Sequence, residues 1–144
     1  MKCVDKDYIE NMLKDIIEAL SELKFLTSLD IDEFIKNRSA RFSMRYSIVV
    51  IVEGSADIGI YVLERCFNEE VKGYRDIFMR LSEKGVIDSE TAMKMASLSS
   101  LRNMIVHRYW NVDDIRIYSE AKKNGIRAIE KFIEEVKEFA SKSN

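Results

Sequence analysis

Ile48-Val49-Val50-Ile51-Val52 is the stretch on which the fold turns. Five consecutive β-branched residues have the composition of a buried strand, because branching at Cβ suits a pleated surface and stiffens the side chain in a helix. The surroundings decide otherwise. No turn residue bounds the run before Gly54, and no obvious partner strand exists elsewhere in the chain. A buried helix is therefore expected, continuous from Ile31 to about Phe67, with Gly54 and Gly59 marking a kink or a close helix contact.

The flanking segments agree with a helical reading. From about Asp5 to Leu26, Ile9, Met12, Leu13, Ile16, Leu20 and Leu23 recur at helical spacing, with acids and lysines on the other face. Asp30 followed three places later by Glu33 resembles a capping box. Asn68 to Gly73 reads as a connection, and Tyr74 to Lys84 as a short helix ended by Gly85, with Val86 placed for the apolar contact of a C-terminal cap. Asp88 or Ser89 caps the next helix. Asn111, with Asp114 behind it, starts the last one, whose apolar stripe is Ile115, Tyr118, Ile129, Phe132, Ile133 and Val136. Gly125 weakens that helix in the middle, and Ala140 to Asn144 are expected to fray. There is no proline and there are only five glycines, so little punctuates the chain. The expected fold is all-α: an up-and-down bundle of four to five helices in a single domain over residues 1–144.

Composition narrows the function. Apolar residues make up 47% and charged residues 33%, and 23 bases against 25 acids give a formal charge of −2. The chain is no bulk polyanion binder, so any RNA contact must come from a local patch. Cys3 and Cys66 make neither a disulfide framework nor a metal-binding spacing. With one histidine in the chain, a His-based zinc site is not expected, and no cofactor is called for. Residues 1–7 lack the apolar core of a signal peptide. No apolar run is seen to reach the roughly 18 residues of a membrane span. A cytoplasmic protein without membrane contact is expected.

Chemistry concentrates in Leu101-Arg102-Asn103-Met104-Ile105-Val106-His107-Arg108-Tyr109-Trp110, which holds that single histidine. Arginine binds phosphate bidentately and keeps its proton. Histidine moves a proton near pH 7. At about 100° per residue, Asn103 and His107 share one helical face, and Arg102 and Tyr109 share a neighbouring one. Arg102 and His107 do not align on an ideal helix, so the guanidinium reaches around or the helix loosens. Met104, Ile105 and Val106 supply apolar anchorage. A histidine near a helix end also has a structural reading, as a partner for the helix dipole.

Arg102, His107 and Tyr109 together read R-x4-H-x-Y, with the polar Asn103 after the arginine. This resembles the signature of the HEPN superfamily, in its HepT-like branch of toxin ribonucleases. Upstream, Tyr74-Arg75-Asp76-Ile77-Phe78, Leu81 and Gly85-Val86-Ile87 look like that branch too, as does Tyr118 after the motif. The likeness covers the second half of the chain well; the first half matches in helical layout and weakly around Glu53 to Gly59. The resemblance implies a homodimer with a composite site that cleaves RNA without a metal and leaves a 2′,3′-cyclic phosphate. Arg102 and His107 would be catalytic and Asn103 supporting. It also implies a partner minimal nucleotidyltransferase antitoxin that silences the toxin by attaching AMP to Tyr109. Two alternatives stand beside it: a non-catalytic, nucleotide- or substrate-binding partner of a nucleotidyltransferase, and a structural bundle that mediates oligomerisation.

Arg38, Arg41 and Arg45 line one helical stripe, either a place for RNA phosphates or an acidic partner, or an ordinary solvated face. Asp57 lies in an apolar setting where a carboxylate normally needs a partner such as Arg102, with a solvent-facing position slightly favoured, and Glu53 poses the same question. Tyr61, Tyr74 and Tyr118 read as core or interface aromatics. Trp110 reads as closing the end of the bundle, with base stacking as the other use.

Overall fold

In the computed structural model, which describes residues 3–142, helix follows helix, with no strand among the described residues. The first helix, α1 (Lys6–Ser28), starts where the Asp5 carboxylate accepts the Asp7 and Tyr8 amides at 2.9 and 3.3 Å. Then come α2 (Ile31–Lys36) and the 30-residue α3 (Arg38–Phe67). Ile48, Ile51 and Val52 lie on the inner face of α3, fully buried, so the β-branched run is core helix. Burial against neighbouring helices outweighs its modest propensity cost.

The single helix expected from Ile31 to Phe67 is interrupted. Asn37 is extended (φ −98°, ψ 106°), and its side-chain oxygen accepts the Ala40 amide at 3.0 Å, so it caps α3. Asparagine offers the backbone this local alternative to continuing a helix. The Asp30–Glu33 capping box does not form either: Asp30 precedes α2 without a side-chain cap bond.

The next elements are α4 (Tyr74–Glu83) and α5 (Ser89–His107). Val86 and Gly85 donate their amides to the Leu81 and Ser82 carbonyls at 2.9 and 3.0 Å, with Gly85 at φ +77°, the paired bonds of a glycine-terminated helix. Asp88 is the cap of α5, accepting the Thr91 amide at 2.8 Å. The last helix begins later than expected. Asp113, not Asn111, caps α6 (Asp114–Glu120) by accepting the Arg116 amide, while Asn111 closes a turn onto the Arg108 carbonyl. A π turn over Ala121–Gly125 joins α6 to α7 (Ile126–Lys142). Gly125 does more than weaken the helix: a Cβ there would stand 3.2 Å from Leu98 Cδ2, so its hydrogen lets this turn approach α5. Helix α7 holds to Lys142 rather than fraying from Ala140; residues 143 and 144 lie outside the described residues.

Helix α1 packs on α3 and α7, and α3 in turn packs on α4 and α5. One apolar core runs through all of them, with Phe34, Phe78 and Phe132 its bulkiest fully buried members. Phe78 meets Phe132 edge-on, centroids 6.0 Å apart. Tyr118 is buried, and its hydroxyl donates to the Leu29 carbonyl at 2.6 Å, tying α6 to the end of α1.

Two expectations are corrected. Cys3 and Cys66 form a disulfide, across 63 residues of sequence. Antiparallel packing of α1 on α3 sets Cys3, three residues ahead of α1, beside Cys66 in the last turn of α3, which no spacing rule reports. Closing a loop of that length stabilises the fold by about 4 kcal/mol in the chain-entropy account. Second, α3 does contain an 18-residue window of mean hydropathy 1.6, long and apolar enough to cross a membrane, but 56% of that window is buried inside the protein itself.

At Gly59, α4 packs tightly on α3. A Cβ there would lie 2.4 Å from Ile77 Cγ2 and 3.1 Å from Leu81 Cδ1. Overpacking of this kind costs about 1–3 kcal/mol, against a helix-propensity gain of about 1 kcal/mol for alanine. Gly59→Ala should therefore lower the Tm by a few degrees in a circular-dichroism melt. An unchanged or raised Tm would show that the two helices separate freely.

Candidate active site

The end of α5 is anchored by Leu101, fully buried, with Met104 and Ile105 half-buried against the core. Val106, expected to help anchor it, is 40% exposed instead. His107 is the last helical residue and is exposed, with no side-chain hydrogen bond or ion pair among the described residues. Arg108 ends the helix by donating its amide to the Met104 carbonyl at 3.0 Å. A turn then presents Tyr109 and Trp110, both 71% exposed and edge-on to each other. Trp110 does not close the bundle end. The Tyr109 hydroxyl braces nothing among the described residues.

Arg102 is held quite differently. Its side chain is only 16% exposed, and Nε lies 2.8 Å from Glu53 Oε1 on α3. The N–H is not aimed at that oxygen, so the contact is an ion pair rather than a well-aligned hydrogen bond. The guanidinium stacks over the Tyr74 ring, Cζ 5.0 Å from its centroid. Nη1 donates to Asn103 Oδ1 at 3.1 Å. The Tyr74 hydroxyl donates to the same Glu53 carboxylate. Burial first, and then that bond, push the Tyr74 pKa up to about 12, so it remains a neutral donor at any physiological pH.

Glu53 keeps 43% of its side chain exposed, in line with the sequence reading that favoured solvent, and it is also the carboxylate that partners Arg102. Asp57 does stand exposed, one turn further on, its pKa raised by desolvation and then by the charge of Glu53. Tyr74 is no plain core aromatic, since it forms the floor under Arg102. The sequence held a signal for Glu53, a carboxylate inside an apolar run, but not the identity of its partner. Asn103 sits on Arg102, not on His107.

The arginine stripe on α3 divides. Arg45 makes a two-pronged pair with Asp114 at 2.8 and 2.6 Å, which raises its pKa. Arg41 approaches the same carboxylate at 3.7 Å and donates to the Ile35 carbonyl. Arg38 stays exposed. Two of the three charges are therefore used to fasten α6 to α3. Phe42 and Tyr46, beside them, are 53% and 71% exposed, and Ile115 next to Asp114 is 54% exposed. Among the described residues, no three His, Cys, Asp or Glu side chains come together as a metal-binding group.

Known proteins resemble this one along most of its length. A putative RNase from Archaeoglobus fulgidus is 29% identical over 136 residues, 94% of either chain. The tRNA nuclease HepT of Aphanizomenon flos-aquae is 22% identical over 118 residues, 82% of this chain and 80% of that one. Among solved structures, the tri-AMPylated Shewanella oneidensis HEPN toxin in complex with MNT antitoxin superposes with a TM-score of 0.82 at 20% identity, over 92% of this chain and 98% of that one. The family model described as Ribonuclease HepT-like matches residues 16–136, from the middle of α1 to α7 and through the whole R-x4-H-x-Y stretch. The chain belongs to the HepT-like ribonuclease family.

Proposed function

We propose that this protein is the toxin of a toxin–antitoxin pair, an endoribonuclease that cuts RNA without a metal at a site composed by two copies of the chain. The observation that carries the reading is the pairing of a firmly held Arg102 with a free, exposed His107 at one helix end. Cleavage requires a base to take the ribose 2′-proton as O2′ attacks phosphorus. It also requires an acid to protonate O5′ as the P–O5′ bond breaks. The products are a 2′,3′-cyclic phosphate and a 5′-hydroxyl. Arg102 stabilises charge on the phosphoryl oxygens, a contribution often the largest in such sites. His107 handles protons, and Asn103 steadies Arg102.

One histidine cannot start as both acid and base, and a homodimer supplies the second. Exposed Val106 and Trp110, in the last turn of α5 and the turn after it, are suited to meeting a second copy while Tyr109 stays open to modification. Arg38 is available to RNA phosphate beyond the cut site, whereas Arg41 and Arg45 would first have to leave Asp114. The antitoxin in this reading is a minimal nucleotidyltransferase that adds AMP to exposed Tyr109. The pair works in the cytoplasm, away from membranes, where a closed Cys3–Cys66 bond would be unusual.

The test is direct. Protein shown by intact mass to carry no AMP should cut a tRNA pool in EDTA, leaving cyclic phosphate ends. An AMP-free protein inert toward RNA would remove the enzyme reading and favour the binding-module alternative.

A further inference from the structure

We propose that Glu53 and Tyr74 are positioning residues for Arg102, which fix the direction from which its guanidinium meets the RNA phosphate. The inference rests on the ribonuclease reading above.

A free arginine side chain samples many rotamers, and ordering it during the reaction would raise the barrier. Here three helices order it beforehand. Glu53 of α3 takes the Nε side at 2.8 Å, and the Tyr74 ring of α4 covers one face at 5.0 Å. Asn103 of α5 engages Nη1 at 3.1 Å. The Tyr74 hydroxyl donates to Glu53, so floor and anchor also hold each other. The remaining Nη edge is then the part left to meet phosphate. Ion pairs at exposed sites contribute little to stability. This one is mostly sheltered on the arginine side, at 16% exposure. It ties together α3, α4 and α5 at the site, rather than a single helix to itself.

The arrangement has a cost that makes it testable. A carboxylate beside the phosphate site repels the substrate as it orients the arginine. Removing its charge should therefore impair turnover without impairing binding. A merely structural role would lower the active fraction and leave KM alone.

The experiment is steady-state cleavage by the full-length protein with Glu53→Gln, Tyr74→Phe, Arg102→Lys and Glu53→Gln/Arg102→Lys. Glutamine keeps the size of Glu53 and its bond from Tyr74. Glu53→Gln should lower kcat about 10- to 100-fold, the penalty of a misplaced catalytic group, with KM reduced. Tyr74→Phe keeps the ring and should lose less. Lysine keeps the charge of Arg102 but not its planar fork, so adding Glu53→Gln to Arg102→Lys should cost little more. Wild-type kcat in Glu53→Gln would overturn the proposal, as would losses that multiply fully in the double variant. Inert wild-type protein would instead overturn the ribonuclease reading, and this inference with it.

Discussion

His107→Ala is expected to lower RNA cleavage by about 10²- to 10⁴-fold, the range general acid–base catalysis supplies. Its fold should be unaffected, because the imidazole is exposed and bonded to nothing among the described residues. Arg102→Ala should cost about 10²- to 10³-fold through lost charge stabilisation. It also leaves Glu53 without its ion-pair partner, so a small loss of stability should accompany it. The dimer adds a sharper form of the test. When wild type is mixed with excess His107→Ala and exchange is verified by mass, activity per wild-type chain should fall toward zero. Activity that stays constant per wild-type chain would mean that each subunit works alone. Cleavage surviving in both single variants would place the chemistry elsewhere.

Adenylylation of Tyr109 should switch the protein off. At 71% exposure, the ring stands clear for a transferase. The phenolic oxygen would attack the α-phosphorus of ATP, lose its proton, and release pyrophosphate. The phosphodiester so formed places a negative charge two residues from His107. A unit charge about 8 Å from an incoming RNA phosphate, at an effective dielectric near 20, costs about 2 kcal/mol, roughly thirtyfold in binding. Further AMP units would add charge and bulk. Intact-mass spectrometry after incubation with the partner enzyme and ATP should show AMP added to wild type and none to Tyr109→Phe. Phenylalanine keeps the ring, so that variant should fold normally and escape silencing. A mass gain that persists in Tyr109→Phe would move the switch to another residue.

The candidate site was legible in sequence because it is local. Arg102, Asn103, His107 and Tyr109 lie within one short stretch, and a single helix end decides what they share. The Asp88 cap and the Gly85–Val86 stop were equally readable, since each depends on bonds between residues a few places apart. Asn37 was missed although its signal is just as local, the bond its side chain accepts from the Ala40 amide three places on. The burial of a β-branched run in a helix followed from its lack of any strand to pair with.

Elsewhere, long-range geometry decided. The partner of Arg102 is Glu53, not Asp57, because helix rotation and the crossing of α3 with α5 select between carboxylates one turn apart. Tyr74 lies under the guanidinium because α4 is set against α3 at Gly59. Arg41 and Arg45 turn from a presumed open stripe into a clamp on Asp114, which is remote from them in sequence. Cys3 and Cys66 meet for the same reason. Sequence by itself determined the helical class, the Asp88 cap and the Gly85–Val86 stop, and it singled out the candidate site residues, all through short-range periodicity and side-chain chemistry. Only the tertiary structure decided which charges are paired, which aromatics are exposed and how the arginine is aimed, because these depend on how separate helices pack.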